Sequence, residues 1–299
     1  MKHKYLLLIL IMASVGCVPL TQDMEPPLIL DPGVDPDSWA LVPAGEFLMG
    51  QFNHEIMVDY EYEIMITDVT NQQYSNYLNQ AIGEGYVKID GDQVLGYYPG
   101  DEFHGYRHEE EITAGDWLHM PINDLDLRLA FDGETFTVLE GYENHPMVVV
   151  TWFGAKAYCE YYGWHLPSEI EWEKAARGAD GRPFPWGNEI VGGNANFYAS
   201  RDPFEEFSGK QGNTTPVGFY NGSTYSGYKT LDSKSPYGVY DMAGNVEQWT
   251  ADIYENQHYR YLRGGSKQTY AYNLRVWTRN NAGPYYFSPS IGFRCVRDK

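Results

Sequence analysis

From Gly178 to its last residue the chain offers few stretches of helical or alternating hydrophobic period, and many Gly, Asn, Pro and Tyr residues. Without a 3.6-residue or two-residue repeat there is no continuous apolar face on which to build a long helix or a broad sheet, so this half of the chain is expected to be long, packed loop. The aromatic content agrees: 26 Tyr, 8 Trp and 13 Phe beside 31 Gly suit an irregular fold with wet aromatic surfaces better than a helical bundle. At 43% hydrophobic residues the 299-residue chain still buries a sizeable core.

Regular structure is legible before Gly178. Thr70 with Gln73 makes a capping box, Tyr74, Tyr77, Leu78 and Ala81 fall on one face, and Gly83 is the expected stop. Thr151 caps a second helix with Trp152, Ala155, Cys159 and Tyr162 on its inner side and Gly163 at its end. Ser168 and Glu171 box a third, which carries Trp172, Ala175 and Ala176 and ends at Gly178. Residues 39–42 and 46–49 flank Pro43-Ala44-Gly45, a hairpin signal, and residues 56–66 alternate as one half-buried strand. The class is α+β. No fixed-period repeat and no second composition break follow residue 38, so residues 39–299 are expected to form one domain.

Residues 1–16 read as a secretory signal peptide: Lys2 and Lys4, then an apolar run too short to span a bilayer, then small residues. Ser14-Val15-Gly16-Cys17 resembles a bacterial lipobox, with Cys17 the lipidated residue and residues 17–38, rich in Pro and Asp, a flexible tether. The alternative is a secreted chain with Cys17 unpaired. The expected location is the bacterial cell envelope, and the only membrane contact the N-terminal lipid. A net charge of −20 argues against nucleic-acid partners and against anionic membranes.

Cys159 and Cys295 remain, and an even remainder in an exported chain suggests a disulfide, with two buried thiols as the alternative. Between Gly83 and His145 lies an acidic, aromatic stretch. Its His104, His108 and Glu109 to Glu111 match no closed zinc site, and a solvated loop is expected there.

Six motifs stand in order: LVPAGEFLMG (41–50), HPMVVVTWFGAKAYCEYYGWHLPSEIEWEKAARG (145–178), FPWGN (184–188), YGVYDMAGNVEQW (237–249), RGGS (263–266) and GFRCVRD (292–298). Together they resemble the formylglycine-generating enzyme family, the sulfatase-modifying factor domains, whose fold is a distant relative of the C-type-lectin-like fold. Members of that family join the cysteine of the AYC helix to the one in GFRC, which agrees with a bridge between Cys159 and Cys295. The resemblance also implies a structural calcium site: Asp241 through its carboxylate, Gly244 and Val246 through carbonyls, and Gln248 where the family has Glu. Oxygen donors suit that hard cation, and a neutral amide at 248 lowers its affinity. An Asx-type turn without metal is the alternative. A second calcium site would begin at Asn196 with the carbonyl of Phe197, but its later Asp is not evident in residues 208–215.

The resemblance implies further that formylglycine-generating oxidases carry two copper(I)-binding cysteines at the third and eighth positions after the Ser of RGGS. Here those positions are Thr269 and Leu274, and no Cys lies between 160 and 294. Copper(I) requires soft thiolates, so copper is not expected, formylglycine-generating oxidase activity is not expected, and no catalytic residue is assigned. A sulfoxide-synthase role is not expected either, because no helical iron-binding domain is read before residue 39. The segment that forms the active groove in the enzymes is instead a candidate ligand surface: Ser266, Thr269, Tyr270, Tyr272, Arg275, Trp277, Arg279, Asn280, Tyr285 and Tyr286. Plain core and loop packing is the alternative for each aromatic residue. The leading reading is a calcium-stabilised binding module for a glycan, peptide or protein. One alternative is a divergent metal-dependent oxidase, with His258 among its ligands. Another is a lectin-like display protein diversified by a retroelement, which the GGS to IGFRC pattern resembles.

Overall fold

The computed structural model describes residues 30–205, 213–225, 227–254 and 257–299. The signal peptide, Cys17 and the first part of the tether lie outside the described residues. From Leu30 onward the expected tether is docked. Leu30 packs against Phe204, Phe219 and Tyr220, the carbonyl of Pro32 accepts from Asn221 at 2.9 Å, and Asp37 accepts from Gln73 at 2.7 Å.

The chain begins with four strands, β1 (Trp39–Val42), β2 (Gly45–Met49), β3 (His54–Val58) and β4 (Tyr62–Met65), then helix α1 (Asn71–Glu84). Next come β5 (Val87–Asp90), β6 (Gln93–Tyr98), β7 (Gly115–Pro121), β8 (Leu129–Phe131) and β9 (Phe136–Val138), then α2 (Trp152–Tyr161) and α3 (Glu169–Arg177). Among the described residues the remainder holds two short 3-10 helices (Gly192–Asn194 and Ala271–Leu274) and the strands β10 (Thr224–Tyr225), β11 (Tyr228–Lys229), β12 (Glu247–Tyr254), β13 (Tyr259–Arg263), β14 (Arg279–Ala282), β15 (Ile291–Gly292) and β16 (Val296–Asp298). Loop predominates after Gly178, as its lack of period requires.

The three helices form for the local reasons read above. Both capping boxes are present, with Gln73 N donating to Thr70 Oγ1 at 3.2 Å and Glu171 N to Ser168 Oγ at 3.2 Å. Tyr74, Tyr77, Leu78 and Ala81 are all buried. Helix α1 runs past Gly83 and stops at Gly85, whose φ of +79° ends it with a left-handed cap that glycine adopts without strain.

Two strand expectations are corrected. Residues 39–42 and 46–49 do not pair with each other: β1 lies beside β4, which also pairs with β16, while β2 pairs with β3. Buried Lys174 donates to the carbonyls of Pro43 and Gly45 at 2.6 and 3.0 Å, fixing the corner at which the chain leaves one sheet for the other. The alternation over 56–66 likewise belongs to two strands. It breaks at residues 59–61, where Tyr60 is exposed, so β3 and β4 enter different sheets.

The largest core gathers α1, α2 and their sheets around Trp152, Phe153, Tyr158 and Phe293, and the disulfide between Cys159 and Cys295 crosses it. A second core packs β1 to β4 against Trp172, Ala175 and Ala176 of α3. The sheet of order β14-β13-β12-β15 carries the groove described next.

Candidate functional site

Strand β13 ends in Arg263, and the backbone then turns through Gly264 and Gly265 into Ser266. That turn is anchored from below. Arg263 Nη2 bonds Glu173 Oε2 at 2.6 Å, Glu173 Oε1 also accepts from Arg177 at 2.8 Å and from the Gly50 amide at 2.5 Å, and all three side chains are fully buried. A carboxylate shared by two guanidinium groups fixes α3 against β13 and leaves the chain beyond Arg263 to form the groove wall.

The groove has a volume of about 620 Å³. Glu247 of β12, Tyr259 and Leu262 of β13 and residues 280–282 of β14 line one side; Ser266, Gln268, Thr269, Tyr285, Tyr286, Ser288 and Ser290 complete it. Tyr285 and Tyr286 present exposed rings. Asn280 donates to Glu247 at 3.1 Å, and burial raises the Glu247 carboxyl above its usual range. Gln268 Nε2 is buried with no hydrogen-bond partner among the described residues. Beside the groove, Lys267 donates to Ser290 at 3.3 Å, and burial lowers its ammonium to about 8.

Of the candidate ligand-surface residues, the fold brings Ser266, Thr269, Asn280, Tyr285 and Tyr286 into this groove. Tyr272 and Arg275 line a separate, shallower depression with Phe184 and Ala271, the guanidinium 4.4 Å from the tyrosine ring centre. Tyr270 is exposed and meets Tyr198 edge-on. Arg279 pairs with Glu169. Trp277 is half-buried against the second core with Arg177 5.4 Å from its ring, which makes it a packing residue. Glu247 and Gln268 are groove residues that sequence reasoning missed. Glu247 falls in the 237–249 motif, which was read for calcium rather than for the groove, and its strand enters the groove wall by pairing with β13, Trp249 opposite Leu262; Gln268 follows the RGGS turn.

At the positions of the oxidase thiols, Thr269 Oγ1 donates to the Ser266 carbonyl and accepts from the Ser266 amide, both at 2.9 Å. Leu274 is fully buried against Phe184, Phe197 and Ala243. A hydroxyl spent in a turn and an aliphatic core side chain give copper(I) no ligand.

Of the calcium candidates, Asp241, Gly244 and Val246 share one turn, in which Asp241 and Asn245 adopt left-handed backbone, and Gln248 follows it in β12. Gly244 is required there, since a Cβ would lie 2.5 Å from the Asn196 carbonyl oxygen. Gln248 does not fit as a ligand. Its Oε1 accepts from Trp172 Nε1 at 2.7 Å and Arg294 Nε at 2.9 Å, and its Nε2 donates to the Asp241 carbonyl at 2.7 Å. Asp241 Oδ2 accepts from the Gly218 amide at 2.7 Å. In the second candidate, Asn196 donates to Asn213 at 3.0 Å, the Phe197 carbonyl accepts from Ser200 at 2.9 Å, and residues 208–212 lie outside the described residues.

Residues 104–108 and Glu111 are exposed, as expected of a solvated loop, but Glu109 ties the loop to the rest of the domain. The Glu109 side chain is fully covered and accepts from the backbone amides of His104 and Tyr106 and from both His104 and His258 rings. His258 lies 149 residues away, so no local spacing announces the contact.

This mixed architecture, with short sheets bearing long ordered loops and a groove beside the RGGS turn, is the formylglycine-generating-enzyme-like variant of the C-type-lectin-like fold. The family described as the sulfatase-modifying factor enzyme 1-like domain matches residues 31–299, and the chain belongs to it. The mouse formylglycine-generating enzyme is 28% identical over 295 residues, covering 86% of this chain and 74% of that protein. The bovine inactive C-alpha-formylglycine-generating enzyme 2 is 37% identical over 159 residues, half of each chain. A serine/threonine-protein kinase Pkn1 of Chlamydia trachomatis is 36% identical over 177 residues, 53% of this chain, and this chain spans only 25% of its length. Among solved structures, PvdO from Pseudomonas aeruginosa superposes with a TM-score of 0.56 at 23% identity, covering 87% of this chain and 94% of PvdO. Treponema denticola variable protein 1 gives 0.51 at 20% identity, covering 88% and 97%. These two likenesses establish the fold.

Proposed function

We propose that this chain is a ligand-binding module, exported and held at the cell envelope by a lipid on Cys17, that takes a glycan or a peptide in the groove beside Ser266. The observation that carries the reading is the groove's chemistry. Two exposed tyrosine rings stand over a wall of hydroxyls and amides, with the Gln268 amide nitrogen buried and unspent. Ring faces take the apolar face of a sugar or the side chain of a peptide, and convergent amides and hydroxyls fix its orientation. A buried donor without a partner costs free energy that a ligand acceptor recovers.

The test is capture on glycan and peptide arrays by the wild-type chain, Tyr286→Ala and Trp277→Ala. Tyr286→Ala is expected to abolish capture while moving stability by no more than about 0.5 kcal/mol, as for an exposed side chain. Trp277→Ala is expected to retain capture and to lose about 1–3 kcal/mol of stability. Capture that survives Tyr286→Ala would place the ligand elsewhere.

A further inference from the structure

We propose that His104, Glu109 and His258 form a zinc site that fastens residues 101–111 to the chain between β12 and β13 at the rim of the groove. Their donor atoms all lie within 4.8 Å of one another. His258 Nε2 stands 2.8 Å and His104 Nδ1 3.1 Å from the same carboxylate oxygen, Glu109 Oε1. A tetrahedral zinc ion with bonds of about 2.0–2.2 Å spaces its donors roughly 3.3–3.5 Å apart, so these two separations need open by only a few tenths of an ångström.

The surroundings orient the donors. His258 Nδ1 lies 3.0 Å from Asp101 Oδ2, the carboxylate-to-imidazole contact that fixes the ring and turns the other nitrogen toward a metal. Asp101 is in turn held by Tyr98 and Arg260, each at 2.5 Å. Glu109 Oε2 accepts from the Tyr106 amide at 2.8 Å, which leaves Oε1 facing both rings. Two imidazole nitrogens and one carboxylate oxygen are a zinc donor set, and three protein ligands leave a fourth position for water or an exogenous group. His104, with 43% of its side chain exposed and its ring stacked on Tyr106, is the ligand open to solvent and the one at which the ion enters.

The site adjoins the groove through both of the segments it joins. Glu110 accepts from Tyr285 at 3.2 Å, and Tyr259, the residue after His258, lines the groove. Zinc here would hold one groove wall in place.

The full chain, stripped with a chelator, is titrated with zinc by calorimetry and with cobalt(II) by visible absorption, alongside His104→Ala and Asp101→Asn. One equivalent of zinc and a tetrahedral cobalt spectrum are expected from the wild type. Asp101→Asn is expected to weaken binding about 10–100-fold, and His104→Ala, at an exposed position that leaves the fold intact, by more than that. Failure of the wild type to bind an equivalent would overturn the proposal, as would His104→Ala binding zinc as tightly as the wild type.

Discussion

Glu173 Oε2 and Arg263 Nη2 meet at 2.6 Å, 90 residues apart in the chain and both fully buried. The contact joins the helix of one sequence motif to the RGGS turn of another, and Arg177 shares the same carboxylate. Two buried guanidinium groups therefore share one carboxylate, and Arg263 also lies 3.4 Å from Glu169.

Glu173→Gln should remove that anion, leaving Arg177 without its carboxylate partner and Arg263 with only the longer contact to Glu169 at 3.4 Å. A loss of about 3–5 kcal/mol is expected in urea unfolding, the usual consequence of removing one partner from a buried ion pair. A loss below about 1 kcal/mol, the range of surface pairs, would mean that the arginines find other partners.

The bridge between Cys159 and Cys295 spans a sequence separation of 136. Loop-closure entropy assigns such a span about 4–5 kcal/mol, with strain able to reduce it. The double substitution Cys159→Ala with Cys295→Ala is expected to cost about 2–5 kcal/mol. Peptide mapping without reductant should recover the linked peptide from the wild-type chain, and recovery of both cysteines as free thiols would contradict the pairing.

Lys267 gives the alkaline stability profile a definite sign. Its folded value of about 8 lies below the unfolded value near 10.4, because burial penalises the charge more than Asp126 favours it. Between those values the unfolded chain binds more protons, so this site's contribution rises with pH and is least favourable below about pH 8. Lys267→Met should therefore be more stable than the wild type at pH 7, with the gap narrowing toward pH 10. Paired denaturant titrations check this, and a gap that stays constant would exclude the linkage.

Calcium should do little at the turn around Asp241. Gln248 has both amide atoms engaged by Trp172, Arg294 and the Asp241 carbonyl, so the internal network holds the turn without an acidic ligand. Adding about 1 mM calcium to chelated protein is expected to change stability by less than about 0.5 kcal/mol, as for a dissociation constant in the millimolar range or weaker. A shift of several kcal/mol would restore calcium as a structural ligand.

The sequence by itself determined what depends on neighbours along the chain. The capping boxes at Thr70 and Ser168 close through residues three positions on, and the buried face of α1 follows from a 3.6-residue repeat, whereas α3 is buried almost all round by its ion pairs and long-range packing. The motif order identified the family and with it the fold, and the cysteine count pointed to the one disulfide. Only the tertiary structure decided which strands pair, because Lys174 turns the chain at Pro43 to Gly45 from 129 or more residues away. It likewise decided that Trp277 packs inward, that the Gln248 amide is spent, and that His258 meets Glu109. Each of these rests on partners brought together by long-range packing, where side-chain identity sets what a contact can do but not which contact forms.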